Sequence, residues 1–269
     1  MTTATVDPSL ALDHRVPFGA VRDTLAVTQR NLIHFFRIPQ LLVFSTIQPV
    51  IFVLLWRFVF GGAVRGTGSV PYVDFLMPGI FVQTVVFGAM ATAIGLAADV
   101  KSGMLERFLS LPMSRSAVLV GRTIADLVRN VFVMILMTIV GFAVGFRIHT
   151  NVPSFLLGLV YVLLFGYAMS WIFATVGLAV KDPETAQAAA FPVLAPLVFA
   201  SAAFIPVITM PGWLQAFARN QPVSVTAEAV RALTLGGPTA GPLLHATLWC
   251  AAIVAVSAPI AVRLYRRAL

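Results

Sequence analysis

Six long apolar runs dominate this sequence and limit what it can fold into. They cover residues 41–60, 75–98, 130–146, 155–180, 186–207 and 243–262. Each approaches or exceeds the roughly 20 apolar residues that a helix needs to cross a bilayer. Charged residues make up only 10% of the chain, against about 25% in soluble domains. The sequence therefore predicts an all-α, polytopic membrane protein whose transmembrane domain covers residues 41–263.

Two of the runs are irregular. The run 130–146 is short in its purely apolar part, and an amphipathic turn or two is expected to precede it. The run 186–207 contains Pro192, Pro196 and Pro206. Proline is tolerated in membrane helices because neighbouring helices re-satisfy the freed carbonyls, so kinks rather than a break are expected here.

The positive charges predict the orientation of the chain. With both termini inside, 13 of the 18 Lys and Arg residues fall on the cytoplasmic side, as the positive-inside rule requires. The polar segment 1–15 lacks the apolar core of a signal peptide and is expected to be a flexible cytoplasmic terminus. Residues 264–269 form a basic cytoplasmic tail. The net charge of +8 is interpreted as loop charge that orients the helices and meets anionic lipid headgroups. It is not interpreted as a nucleic-acid-binding surface.

The segment 16–38 has a different pattern from the spans. Its apolar residues recur at steps of three and four, while Arg22, Arg30 and Arg37 fall largely outside that stripe. A basic amphipathic helix beside a span is typical of the cytoplasmic membrane interface. This segment is therefore predicted to be an interfacial helix.

Two loops are long enough to hold structure. The inner loop 99–122 contains a short amphipathic piece that Pro112 ends. The outer loop 210–235 contains two half-apolar pieces separated by Pro222, too short and too polar to span. They predict a helical hairpin that dips into the outer leaflet.

The sequence carries little catalytic chemistry. The segment 95–102 comes closest to a phosphate-binding loop, but Val100 occupies the place of its second glycine. The four histidines are far apart, with no metal-binding pair. No catalytic, cofactor or metal site is therefore predicted, and the chain is not expected to be an enzyme.

An ion-coupled carrier would place charged groups deep in its spans. Asp126 is an acidic residue within a predicted helical run. Arg122 and Arg129 flank it on the same helix face, so their charges are expected to neutralise each other within that helix and to have a structural role. The spacings Gly141-x-x-x-Gly145 and Ala91-x-x-x-Gly95 predict close helix packing.

Four stretches of sequence carry a resemblance to a known family. They are YVDFLMPG at 72–79, GMLERFLSLPMSR at 103–115, GFRIH at 145–149, and NQPVS at 220–224 followed by Arg231-Ala-Leu233 and Gly236-Gly237. The chain resembles the type-2 ABC exporter permeases, particularly the daunorubicin/doxorubicin-resistance branch. The resemblance covers nearly all of the chain after about residue 16.

This resemblance implies an export complex. Two permeases, identical or paralogous, would pair with two cytoplasmic ATPase subunits that bind ATP and Mg. The inner loop at about 102–112 would be the coupling helix that docks on the ATPase. By motif, that role falls on Gly103, Leu105, Glu106, Arg107, Leu109, Leu111 and Pro112. Many members of the family have an acidic residue two positions before this glycine, where this chain has Lys101.

The family also implies alternating access to a substrate path between the two permeases. An apolar, aromatic lining suits a hydrophobic drug or a lipid, and export of such a drug would confer antibiotic resistance. Residue type alone suggests Phe81, Phe87, Phe165, Trp171 and Phe199 for that lining. A secondary, ion-coupled carrier, or a lipid- or glycan-exporting permease with no drug role, stays open as an alternative.

Overall fold

A computed structural model of the chain describes residues 19–37, 39–62, 70–104 and 115–267. The described residues form nine α-helices and no strand, so the all-α prediction is confirmed for this part of the chain. The helices are α1 (Gly19–Arg37), α2 (Pro39–Leu54), α3 (Tyr72–Lys101), α4 (Arg115–Val144), α5 (Val152–Val180), α6 (Pro183–Phe199), α7 (Gly212–Asn220), α8 (Pro222–Leu235) and α9 (Ala240–Arg267). A π-helix, Leu55–Phe60, continues α2.

Local sequence explains where several helices begin. The Asn151 side chain accepts a hydrogen bond from the Ser154 amide at the start of α5. Asp182 caps α6 in the same way, through the Thr185 amide, and Pro183 follows it. A polar cap followed by proline is typical of a helix start, because proline needs no amide partner in the first turn.

Four helices are long and apolar enough to cross a membrane. They are α3, α5, α9 and the part Leu119–Val144 of α4. Within the first apolar run, Thr46–Phe60 is a shorter apolar helical stretch, and α6 has 17 residues. By length and composition, four spans are thus present among the described residues, rather than the six that the sequence predicts.

Two boundaries differ from the predicted ones. Helix α4 begins at Arg115, about four turns before the apolar run 130–146, and Arg122 in this first half pairs with Asp99 of α3. Helix α6 ends at Phe199, and the Ala200 amide bonds back to Pro196. The chain then turns, so the run 186–207 is not one continuous helix.

Helix α3 lies at the centre of the bundle. In its most apolar window 67% of the residues are buried, against 50% in α5, 33% in α4 and 22% in α9. Its apolar side chains share one core with residues of α4, α5, α6 and α8. Movement of α3 would therefore disturb most of the core. Helices α7 and α8 form a hairpin near the start of α3. We call this end of the bundle the hairpin end, and the opposite end the Lys101 end.

Candidate functional site

Arg231 ties the α7–α8 hairpin to the start of α3. Its Nε donates to the Phe75 carbonyl at 2.9 Å, and its Nη2 donates to the Ala203 carbonyl at 2.8 Å. The guanidinium carbon lies 3.7 Å from the centroid of the Phe75 ring. This buried charge therefore donates to two backbone carbonyls and contacts an aromatic ring, both of which offset the cost of burying an arginine.

Asp74 is the second polar group at the hairpin end. Its buried carboxylate accepts a hydrogen bond from the Arg147 amide at 2.8 Å and lies 2.7 Å from Nε2 of His149. The His149 amide in turn donates to the Thr234 carbonyl at the end of α8, at 3.0 Å. The linker between α4 and α5 is thereby attached to both α3 and α8.

A third set of contacts holds the start of the hairpin. The Ser224 hydroxyl accepts from the Ala202 amide at 2.8 Å, and Gln221 Nε2 donates to the Leu197 carbonyl at 2.9 Å. Three stretches that are far apart in sequence, 72–79, 145–149 and 220–237, thus meet in one polar cluster at this end. Sequence reasoning identified these stretches, Arg231 included, by resemblance alone. The signal for its role was an arginine within a half-apolar helix.

Ion pairs join the Lys101 end of α3 to three other elements. Asp99 accepts from Arg122 of α4 at 2.9 Å and from Arg30 of α1 at 3.5 Å. Lys101 Nζ lies 2.7 Å from the Asp182 carboxylate at the start of α6. The hydrogen bond from Lys101 and those from Thr185 hold the pKa of Asp182 well below its usual value.

The sequence spacing predicted that Arg122 pairs with Asp126, and the structure shows a different partner. Its partner is Asp99, whereas Asp126 pairs with Arg129 at 3.0 Å and accepts from the Thr92 hydroxyl. The prediction of a self-neutralised stripe within one helix is therefore wrong for Arg122. Neighbours on α3 are closer to its guanidinium than the acid one turn along α4.

The loop that follows α3 begins at Ser102. Gly103 has φ +66°, a left-handed conformation that glycine adopts readily. The other residues predicted for the coupling helix lie outside the described residues, namely Leu105, Glu106, Arg107, Leu109, Leu111 and Pro112. Their role stays a prediction.

Comparison with known proteins decides the family. A sequence profile described as ABC-2 type transporter matches residues 22–235. The Daunorubicin resistance ABC transporter permease protein DrrB1 of Streptomyces coeruleorubidus is 35% identical over 249 residues, which are 92% of this chain and 87% of that protein. The chain belongs to the ABC-2 type transporter family. A second relative, the Doxorubicin resistance ABC transporter permease protein DrrB of Mycobacterium tuberculosis (strain ATCC 25618 / H37Rv), is 27% identical over 283 residues, with 96% of each chain covered.

The predicted interfacial arginines of this ABC-2 permease lie along α1. Arg22 and Arg37 are exposed, and Arg30 is half-buried beside Asp99. An open groove of about 570 Å³ is lined by Leu25, Thr28, Gln29, Leu32, Ile33 and Arg37. Exposed apolar and cationic side chains therefore lie next to each other on this helix.

The aromatic residues suggested for a substrate path do not meet at one surface. Phe81 and Phe165 are fully buried in the core, and Trp171 is 5% exposed, with no partner for its ring nitrogen. Phe87 is partly buried, 6.1 Å from Phe52 between ring centroids. Phe199 is half-exposed near the hairpin end.

Sequence reasoning missed one polar group near these rings. Gln83 is buried in α3, and its Oε1 has no hydrogen-bond partner. It borders a cavity of about 10 Å³ between α2 and α3, room for about one water molecule. The signal was a lone carboxamide within an apolar run. Among the residues that the structure describes, no three His, Cys, Asp or Glu side chains are grouped to hold a metal ion.

Proposed function

We propose that this chain is the transmembrane subunit of an ATP-driven exporter that moves amphiphilic drugs or lipids out across the plasma membrane. One observation carries the proposal, namely the 35% identity to a daunorubicin-resistance permease over 92% of this chain. The interior of the bundle agrees with such cargo, because it is apolar and rich in aromatic side chains. A path between two such permeases would be bordered by mostly apolar side chains, which suit an amphiphile better than a sugar or an ion.

The proposed topology has six crossings with both termini in the cytoplasm. Helix α2 and its π-helical continuation provide the first crossing, and α6 the fifth. At 1.5 Å per residue the 17 residues of α6 extend only about 25 Å, short of a hydrocarbon core of about 30 Å. The turn after Phe199 and the α7–α8 hairpin complete this crossing near the outer face. The hairpin end is then extracellular and the Lys101 end cytoplasmic, in agreement with the charge distribution.

Helix α1 is proposed to lie in the cytoplasmic interface. Val21, Leu25 and Ile33 expose 57%, 61% and 42% of their surface. These apolar side chains would enter the acyl region, while Arg22 and Arg37 would meet anionic headgroups. The groove beside Arg37 has the mixed apolar and cationic lining that suits a lipid.

Energy is proposed to enter through the loop that joins α3 to α4. Two copies of an ATPase subunit would bind ATP and Mg and close on each other, and the coupling helix at about 102–112 would transmit that movement. This chain would pair with a second permease, identical or paralogous. Alternating access would then follow from a conformational equilibrium that ATP biases. The residues proposed to contact the ATPase are Gly103, Leu105, Glu106, Arg107, Leu109, Leu111 and Pro112.

Co-expression tests the proposal. The ATPase subunit is first identified by purifying this chain together with its partner. Cells that produce this chain and that ATPase subunit together should accumulate less doxorubicin than cells that produce either subunit alone. Replacing the phosphate-binding lysine of that ATPase should abolish the difference, since the energy comes from ATP. Efflux by this chain alone, driven by a proton gradient, would refute the ATP-driven mechanism and favour a carrier.

A further inference from the structure

Three polar contacts join α3 and α4 along a single seam. Arg122, Asp126 and Arg129 follow each other at steps of four and three, so they share one face of α4. Arg122 pairs with Asp99 at 2.9 Å, and Asp126 accepts from the Thr92 hydroxyl. Arg129 Nη2 donates to the Gly88 carbonyl at 2.6 Å. We call this set of contacts the α3–α4 ladder.

Two glycines of α3 give the arginines their room. Gly88 and Gly95 are seven residues apart, as are Arg122 and Arg129 on the facing helix. A Cβ at Gly95 would overlap the Arg122 guanidinium, and a Cβ at Gly88 would lie 2.7 Å from Asn130 Oδ1 and 3.3 Å from Arg129 Nη2. The spacing of small residues on one helix therefore matches the spacing of large cations on the other.

The same seam continues toward the hairpin end. A Cβ at Gly141 of α4 would lie 3.7 Å from Cγ of Met77 on α3. Gly88 lies eleven residues after Met77, and its neighbour Asn130 lies eleven residues before Gly141. The two helices thus keep one antiparallel register from the ladder to the other end of the bundle.

Helix α1 joins this pair through polar and aromatic contacts. The Thr28 hydroxyl donates to the Gly121 carbonyl of α4 at 3.0 Å, and Arg30 reaches Asp99 of α3. The Phe35 ring lies 5.9 Å from the guanidinium carbon of Arg129. All three helices therefore contact the ladder.

Sliding of α3 against α4 would break several buried contacts together. The side chains of Asp126 and Arg129 are 9% and 11% exposed. Inside a membrane no water replaces a lost partner, so an unpaired charge is costly there. The contacts of α3 with α5 are mainly apolar, with Val85, Ala89 and Phe165 in one core. A shift there would cost close packing, as at Gly177 against Ala93, but would leave no buried charge without a partner.

We propose that the α3–α4 ladder makes α1, α3 and α4 one rigid unit that carries movement of the 102–114 loop across the membrane. Asp126, Arg129 and Gly95 are its positioning residues. This inference rests on the proposed export function, because the loop between α3 and α4 is the proposed contact with the ATPase. A push on that loop then moves both flanking helices together instead of sliding one past the other.

The first test is a disulfide across the seam and outside the ladder. Met77→Cys with Gly141→Cys, in a Cys250→Ala background, places two thiols at neighbouring positions of α3 and α4. The oxidised complex should export doxorubicin at a rate within about twofold of the reduced complex, since a rigid pair loses nothing when it is cross-linked. Gel shifts with a large maleimide report how much disulfide has formed. Loss of export on oxidation, restored by reductant, would overturn the proposal.

The second test removes one contact and then restores rigidity. Asp126→Asn keeps the shape of the side chain but removes the carboxylate that neutralises Arg129, whose buried charge then keeps the Gly88 carbonyl as its acceptor. Drug exported per ATP hydrolysed should fall by roughly tenfold or more. Oxidation of the 77–141 disulfide in this variant should recover most of the loss. The ratio of drug exported to ATP hydrolysed is the readout, because a smaller amount of folded complex lowers both quantities and leaves their ratio unchanged. Gly95→Ala should behave like Asp126→Asn. Gly241→Ala is the matched control, because nothing lies within 4 Å of its added Cβ. Normal coupling in Asp126→Asn would also overturn the proposal.

Failure of the ladder can be told from failure of the export function. If the wild-type complex exports no doxorubicin, the proposed function fails alone. The distance between spin labels at Ala98 of α3 and Val131 of α4 still tests the ladder. The ladder requires the same distance with and without ATP, and a change on adding ATP would contradict it.

Discussion

The guanidinium carbon of Arg231 lies 3.7 Å from the centroid of the Phe75 ring, and its Nε donates a hydrogen bond to the carbonyl of the same residue. The two residues are 156 positions apart in sequence, so one side chain joins the α7–α8 hairpin to the first turn of the central helix. The second hydrogen bond, to the Ala203 carbonyl, also attaches the segment that follows α6. A single cation thus organises three segments at one end of the bundle.

Replacement of Arg231 should destabilise the protein measurably. Arg231→Lys keeps the charge but lacks the planar fork that reaches two carbonyls at once. We expect a loss of about 2–3 kcal/mol in the free energy of unfolding, the scale of a hydrogen bond to a charged group. Thermal unfolding of the purified protein in detergent measures it. Arg219→Lys, on the exposed α7 beside Gln215, is the control and should change stability little.

The orientation of the chain can be tested by thiol labelling. In a Cys250→Ala background, cysteines at Ser69 and Thr239 should react with an impermeant thiol reagent added outside intact cells. A cysteine at Ser102 should react only after the cells are opened, because the proposed topology has that loop in the cytoplasm. Labelling of Ser102 from outside would contradict the proposed topology.

The ion pair between Lys101 and Asp182 should resist mild acid. The folded-state pKa of Asp182 is lowered, so the stabilising contact is complete above the usual carboxyl value near 4 and is lost as pH falls through the lower, folded value. Coupled ATPase activity should therefore keep the same dependence on this pair from about pH 5 to pH 8. The charge reversal Lys101→Asp should disturb coupling equally across that range. Adding Asp182→Lys should restore it, and a pair effect that disappears near pH 6 would contradict this assignment.

Much of the helical framework follows from the sequence, since its signals are local. A polar residue before proline marks the start of α6 at Asp182, and Pro222 separates the two helices of the hairpin. The polar contacts between helices could not be derived in this way. Arg122 was assigned to Asp126 on its own helix, but Asp99 on another helix is closer. Gly95, which predicts close helix packing by its spacing, instead leaves room for a guanidinium. Such partners depend on the register of two helices, which hydropathy does not encode.

The last prediction concerns Glu106, which lies outside the described residues within the loop between α3 and α4. If Glu106 only pairs with a nearby cation in water, the contact contributes about 0–1 kcal/mol, and Glu106→Ala leaves export nearly intact. If it accepts charge-assisted hydrogen bonds from the ATPase in a partly desolvated cleft, its truncation costs about 2–5 kcal/mol. We expect the second outcome. Glu106→Ala should insert normally but abolish doxorubicin export and drug-stimulated ATPase activity of the complex.

Two further variants make this experiment decisive. Glu106→Asp should give an intermediate activity, because the charge stays while the reach of the side chain shortens. Glu228→Ala, on the exposed side of α8 at the opposite end of the bundle, should leave ATPase coupling unchanged. Wild-type export by Glu106→Ala at equal expression would remove Glu106 from the ATPase contact. Movement would then have to enter α3 and α4 through other residues of the 102–114 loop.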